Sequence, residues 1–440
     1  MQLPRSVSAG SSIAGLLVFC TVVACSGTTP NGNASNGGTT GTAIGGSGNV
    51  GGAAPSGGTT GTTTGGAGNV GGMAPSGGNS SSGGTGSEKL VNPAPGGDLF
   101  VGVNFWRIDW EGADDYFQNS VDFATATNPW NPNLLTDLAP FKIIRFMDWN
   151  TANDSNNPQA NWDTRKQKTG DQTQAPVAFE WQIDLCNRTK TDYWLNIPHE
   201  ANLTAYCANV AQLVHSQLDS SLRVYVEWSN EVWNGSFPQN AYAATQGNNL
   251  SLPGSNKALA YQVYASVRVW EAFESVFGKN SPRLVKVLSG QHVWDGPCTS
   301  LMTALGDGTI NPNGTQPTVF AVAPYFSGTS ISALQTALAD TASGLDTNAT
   351  CAAGKSLPLI SYEGGSDSYS AGSGCTTLQH DSGMYGLYST FLDTLAAHQK
   401  GPFMQYTATG SCWGLKQRTG DAASNSPKYR AVTEWLAAHP

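Results

Sequence analysis

Arg223-Val224-Tyr225-Val226-Glu227-Trp228-Ser229-Asn230-Glu231-Val232-Trp233-Asn234 is the stretch whose reading decides the fold of this chain. It opens as a β-strand, with β-branched and aromatic residues in close succession. It ends in Asn230-Glu231, with Trp228 and Trp233 on either side. A carboxylic acid set just after a strand and among aromatics is placed to have its proton affinity tuned, as a general acid requires. The plain alternative is a Glu231 that merely caps the following helix. It stands until a partner for the acid is found.

Runs of the same kind recur along the chain. Upstream lie Leu99 to Val103, Lys142 to Phe146 and Tyr193 to Ile197. Downstream lie Leu284 to Leu288, Val319 to Ala323, Leu357 to Tyr362 and Phe403 to Tyr406. Helical patterns fall between them, among them Ala205 to Leu218, Lys257 to Phe277, Ser332 to Ala342 and Gly383 to Gln399. Pro427 to Ala438 closes the chain as a helix with Pro in its first turn. Short apolar strands alternating with helices predict an α/β chain: a single (β/α)8 TIM barrel with long loops, over residues 98–440. A doubly wound open sheet is the alternative. It usually has fewer strands, and no Gly-x-Gly-x-x-Gly opens the first strand–helix turn.

In such a barrel the chemistry sits at the C-terminal strand ends. Those ends carry Asn104 and Trp106, then Arg145, Asp148 and Trp149, then His199 and Glu200, then Asn230 and Glu231. Gln291, His292 and Trp294 follow strand five. Tyr325 follows six, Glu363 seven and Trp413 eight. Glu231 and Glu363, three strands apart, are set to face each other across the mouth. Hydrolysis of a glycosidic bond needs two such carboxyls, one to protonate the leaving oxygen and one to attack or to activate water.

In these residues the chain resembles clan A of the retaining glycoside hydrolases, cellulase-like (β/α)8 enzymes. The resemblance implies Glu231 as acid/base, Asn230 as ligand of the sugar 2-hydroxyl and Glu363 as nucleophile. It also implies that Arg145 braces the nucleophile, and it matches His199, Tyr325 and Trp413 to the clan's strand-three His, strand-six Tyr and strand-eight Trp. Two features depart from the clan's pattern. Val232-Trp233 follows Asn230-Glu231 where the proline of Asn-Glu-Pro is usual, and Tyr325 follows Ala-Pro. The expected activity is retaining, internal cleavage of a β-linked polysaccharide or oligosaccharide, with no cofactor. The rival readings are a non-catalytic glycan-binding barrel and a tethered structural protein. His199-Glu200 lacks the second His of a zinc helix, so no metal is expected. No Gly-x-Ser-x-Gly marks a hydrolase elbow in the domain. Trp106, Trp149, Trp233, Trp294 and Trp413 are candidates to stack on sugar rings. The polar loop from Met147 to Ala178 is a candidate cleft wall.

Composition narrows the partners. Net charge is -9 with only 12% charged residues and no Lys/Arg-rich run, which disfavours nucleic acid. Arg5, an apolar stretch from Ile13 to Val23 and Val22-Val23-Ala24-Cys25 resemble a bacterial lipoprotein signal over 1–24. Cys25 would be lipidated, and Ser26 favours the outer membrane. Residues 25–97 read as a disordered linker, with Gly48-Asn49-Val50-Gly51-Gly52 repeated at Gly68 to Gly72. A monomer is expected. Cys186, Cys207, Cys298, Cys351, Cys375 and Cys412 suggest disulfides in an exported domain. Barrel order favours Cys186–Cys207, Cys298–Cys351 and Cys375–Cys412.

Overall fold

A computed structural model describes residues 89–410 and 412–440. The lipoprotein signal, Cys25 and the repeats lie outside the described residues. Eight parallel strands close into a barrel: β1 (Phe100–Asn104), β2 (Ile143–Arg145), β3 (Asp192–Ile197), β4 (Val224–Trp228), β5 (Leu284–Ser289), β6 (Val319–Val322), β7 (Leu359–Ser361) and β8 (Pro402–Gln405). Each pairs with its sequence neighbours, and β1 closes on β8 with Val101 opposite Phe403.

The strands are nearly continuous apolar runs because both faces are buried. Alternation sorts them. Phe100, Ile143, Trp194, Tyr225, Val287, Ala321, Ile360 and Met404 fill the lumen. Residues of the other parity, such as Val101, Val224 and Val226, join the layer under the helices. The lumen leaves no spare room at Gly102, where an added Cβ would lie 2.3 Å from Ile143 Cγ2 and 2.6 Å from Met404 Sδ.

The helices fall where the patterns place them, including Ala205–Gln217, Lys257–Phe277, Gly383–His398 and Pro427–Ala438. Asn256 caps the longest by accepting from the Leu259 amide. One expected helix, Ser332 to Ala342, is instead two: Ile331–Ala339 and Thr341–Ala353. No helix among the described residues is long and apolar enough to cross a membrane.

Two expectations are corrected. Asn92 lies within the span read as linker, yet it is buried, and its side-chain amide donates to Asp192 Oδ1 at 3.0 Å and to the Lys190 carbonyl at 3.0 Å. Arg223 Nη1 donates back to the Asn92 carbonyl at 2.8 Å. The packed domain therefore begins ahead of Asp98. Cys298–Cys351 and Cys375–Cys412 are bonded, but Cys186 and Cys207 are free and buried. Each of these thiols faces a main-chain carbonyl, Asp192 at 3.8 Å and Asn202 at 3.6 Å, and burial pushes both thiols up. Neighbouring helices brought the two residues near in topology without aiming one sulfur at the other.

Candidate active site

Arg145 is the hub. It ends β2, faces the lumen and is fully buried. Its Nη1 donates to Glu363 Oε1 at 2.5 Å and to Asn104 Oδ1 at 3.1 Å. Its Nη2 donates to Asn230 Oδ1 at 2.8 Å and to Glu227 Oε2 at 2.9 Å. Strands β1, β2 and β4 and the turn after β7 thus converge on one guanidinium. Asn104 also reaches the Tyr362 carbonyl at 3.2 Å.

Glu363 follows β7. The next two residues carry positive φ, 147° at Gly364 and 114° at Gly365, a region glycine enters freely. A Cβ at Gly365 would also lie 2.7 Å from Gln405 Oε1. This turn leads into a short strand, Gly365–Asp367, which pairs with Tyr325–Ser327. That pairing places the Tyr325 hydroxyl to donate to Glu363 Oε2 at 3.0 Å. Burial pushes the Glu363 carboxyl up, while Arg145 and the Tyr325 hydroxyl pull against it.

Glu231 leaves β4 through a turn in which Ser229 and Glu231 have φ of 60° and 41°. Left-handed backbone in non-glycine residues costs on the order of 1–3 kcal/mol and concentrates at functional sites. Asn234 Nδ2 donates to Glu231 Oε2 at 3.1 Å, and the Tyr362 hydroxyl donates to Oε1 at 3.3 Å. Trp233 Nε1 donates in turn to the Tyr362 oxygen at 3.3 Å. Burial, reinforced by the negative charge of Glu363, pushes Glu231 up to about 8. Of the two carboxyls, Glu363 holds the cation directly, and Glu231 is the one held protonated near neutrality.

The other expected residues divide. Asn230 is held from three sides, by Arg145, by Asn153 of the long loop (3.1 Å) and by Gln239 at its carbonyl (2.6 Å). His199 is buried beside Tyr242, with ring centroids 5.2 Å apart, and its contacts run to that tyrosine and to the Ala152 backbone. The hydrogen bonds above do not include it. Glu200 accepts from the Asn156 and Asn157 amides, both at 3.1 Å, and so shapes the loop. Trp149 is a correction: it is fully buried and stacks on Trp130 at 6.3 Å, so it serves the core. Trp413 stacks on Tyr369 (5.4 Å), meets Trp106 edge-on (5.3 Å) and donates to Asp367 Oδ1 (3.1 Å). Trp294 is 58% exposed.

Sequence reasoning missed four contributors. Glu227 shares the inward parity of Tyr225, so an acid inside an apolar strand was the available signal. Tyr406, not Trp413, is the aromatic directly after β8, and its hydroxyl donates to Asp148 Oδ2 at 3.0 Å. Burial, aided by the charge of Glu363, pushes Asp148 up to about 7. Tyr362 and Asn153 left no readable mark.

No protein-family model and no curated protein matches the chain. Solved structures do share its fold. A family 51 α-L-arabinofuranosidase from Bifidobacterium longum superposes with a TM-score of 0.50 at 9% identity, over 78% of this chain and 75% of that one. A modular endo-β-1,4-mannanase from Cellulomonas fimi gives 0.47 at 13% identity, over 78% and 71%. At such identities the likeness extends to the barrel and no further.

Proposed function

We propose that this protein is a retaining glycoside hydrolase that cleaves a neutral, β-linked polysaccharide at internal bonds. The carrying observation is the unequal setting of two carboxyls at one barrel mouth. Glu363 is braced by Arg145 and Tyr325, whereas Glu231 sits in a buried setting that keeps its proton.

In the first step a Glu363 oxygen bonds to the anomeric carbon as the glycosidic C–O bond breaks. Glu231 passes its proton to the departing oxygen. The ester then removes the Glu363 charge, which lowers the proton affinity of Glu231. In the second step Glu231 takes a proton from water, the water oxygen bonds to the anomeric carbon, and the ester bond breaks. Asn230 takes the sugar 2-hydroxyl, a role supported by its being held by Arg145 and Asn153. Trp106, Trp413 and Tyr406 form an aromatic wall for sugar rings. Arg145 is committed to two carboxylates and Arg107 to Asp109 and Asp154, which favours a neutral sugar over a uronate.

A hydrolysis screen of β-glucans, mannans and xylans with anomer-resolved NMR tests the reading. The β-anomer should form first. An α-anomer as first product rules out the double displacement, and no hydrolysis of any glycan favours the binding-only barrel. The two disulfides suit an oxidising compartment. We propose that Cys25 carries the lipid anchor to the outer membrane. Radiolabelled palmitate incorporated by wild type but not by Cys25→Ser is the expected result.

A further inference from the structure

Glu227 lies within β4 and faces the lumen, almost wholly buried. Its Oε2 accepts from Arg145 Nε (3.2 Å), Arg145 Nη2 (2.9 Å), Trp194 Nε1 (3.0 Å) and Asn196 Nδ2 (2.9 Å). A guanidinium carries five N–H groups in a rigid fork. Here all are spent: two on Glu227 and one each on Asn230, Asn104 and Glu363. The rings of Trp194 and Tyr362, centred 5.6 and 5.1 Å from its carbon, hold the fork as well. Without Glu227 two of the five N–H groups lose their acceptor, and the fork, then held by Asn104, Asn230 and the two rings, can tilt to grip Glu363 with two parallel N–H bonds, the strongest arrangement for such a pair. That grip would tie up the electrons Glu363 needs for attack.

We propose that Glu227 is a positioning residue: it anchors Arg145 so that Glu363 receives one N–H and half-shares one positive charge, which leaves that carboxylate nucleophilic. The inference rests on Glu363 being the nucleophile. The titratable groups facing Glu363 are Arg145 and Asp148 from β2 and the loop after it, Glu227 and Glu231 from β4 and its turn, and Tyr325, Tyr362 and Tyr406 from the ends of β6, β7 and β8. Glu227 is the acid among them that competes with Glu363 for the guanidinium, and its charge opposes that of Arg145 at Glu363.

The test is carbon-detected NMR titration of the Glu363 carboxyl, assigned by its loss in Glu363→Gln, in wild type and in Glu227→Gln. The midpoint should fall by about one pH unit in the variant, as expected when an opposite charge is freed to act on one carboxylate. The acid limb of kcat/KM should move down with it, and Glu227→Asp should move less. An unmoved or raised midpoint overturns the proposal, even where thermal stability drops. If Glu227→Gln does not fold, the Glu227→Asp titration decides by the same criterion. The titration needs no turnover, so a wild type that cleaves no glycan is recognised separately, as failure of the nucleophile reading itself.

Discussion

The Tyr362 hydroxyl, next in sequence to Glu363, donates not to that residue but to Glu231 Oε1, 3.3 Å away on the opposite side of the barrel. The same hydroxyl is 3.4 Å from the Gly290 carbonyl. Its single proton has two acceptors, and the ionised form of Glu231 is the stronger. Tyr362→Phe removes a donor that favours the carboxylate, so Glu231 should hold its proton to higher pH. The basic limb of the kcat profile, expected near 8 in wild type from the raised Glu231, should shift upward while kcat falls.

Glu231→Gln removes the proton donor and should lower turnover of unactivated glycans by about 10²–10⁴-fold. Aryl glycosides with acidic leaving groups should lose much less in the first step, because their leaving oxygen needs no proton. Glu363→Gln should abolish both reactions. Stopped-flow release of dinitrophenol separates the two variants, and full activity in either removes it from its role.

Asp148 offers a stability measurement. Its folded value of about 7 stands above the ordinary carboxyl value, so the folded state binds the proton more tightly than the unfolded one. That contribution is complete at low pH and is lost as pH rises through 7. Relative to wild type, Asp148→Asn should therefore gain on the order of a few kcal/mol of stability between pH 5 and pH 8. Chemical denaturation at the two pH values reads this directly.

Cys298–Cys351 closes a separation of 53 residues and joins two helices of the outer layer. Replacing both cysteines with serine should cost about 2–5 kcal/mol. Cys186 and Cys207 should stay unreactive toward a thiol reagent in the native protein and react once it is unfolded. Mass spectrometry of alkylated peptides distinguishes the two classes.

Trp106→Ala should raise KM for long glycans by about tenfold, the equivalent of one lost aromatic contact. An unchanged KM would move the sugar path away from the Trp106–Trp413 wall.

The barrel was legible because each strand buries both faces and so announces itself as a short apolar run between helices. That Arg145, Glu231 and Glu363 lie at one barrel mouth was legible because each follows or ends a strand, and parallel strands of a barrel all end on one side. What stayed hidden depends on side-chain direction. Trp149 follows β2 as closely as Asp148 does, yet one turns to the core and the other to the cleft. Asn92 looked like linker because Pro93, Pro95, Gly96 and Gly97 follow it, and only its bonds to Asp192 and Arg223 show otherwise. Tyr362 could not be foreseen at Glu231, since nothing local ties β7 to the turn after β4.

The charge balance around Arg145 bears on inhibition. Glu227 and Glu363 outnumber the one guanidinium between them, and Asp148 and Glu231 add two further carboxyls as they ionise. Such a site receives a cation well, as suits the positive charge that grows on the anomeric carbon at the transition state. A protonated iminosugar should therefore bind more tightly than its neutral sugar counterpart. Its advantage should grow between pH 6 and 8, as the last two acids give up their protons.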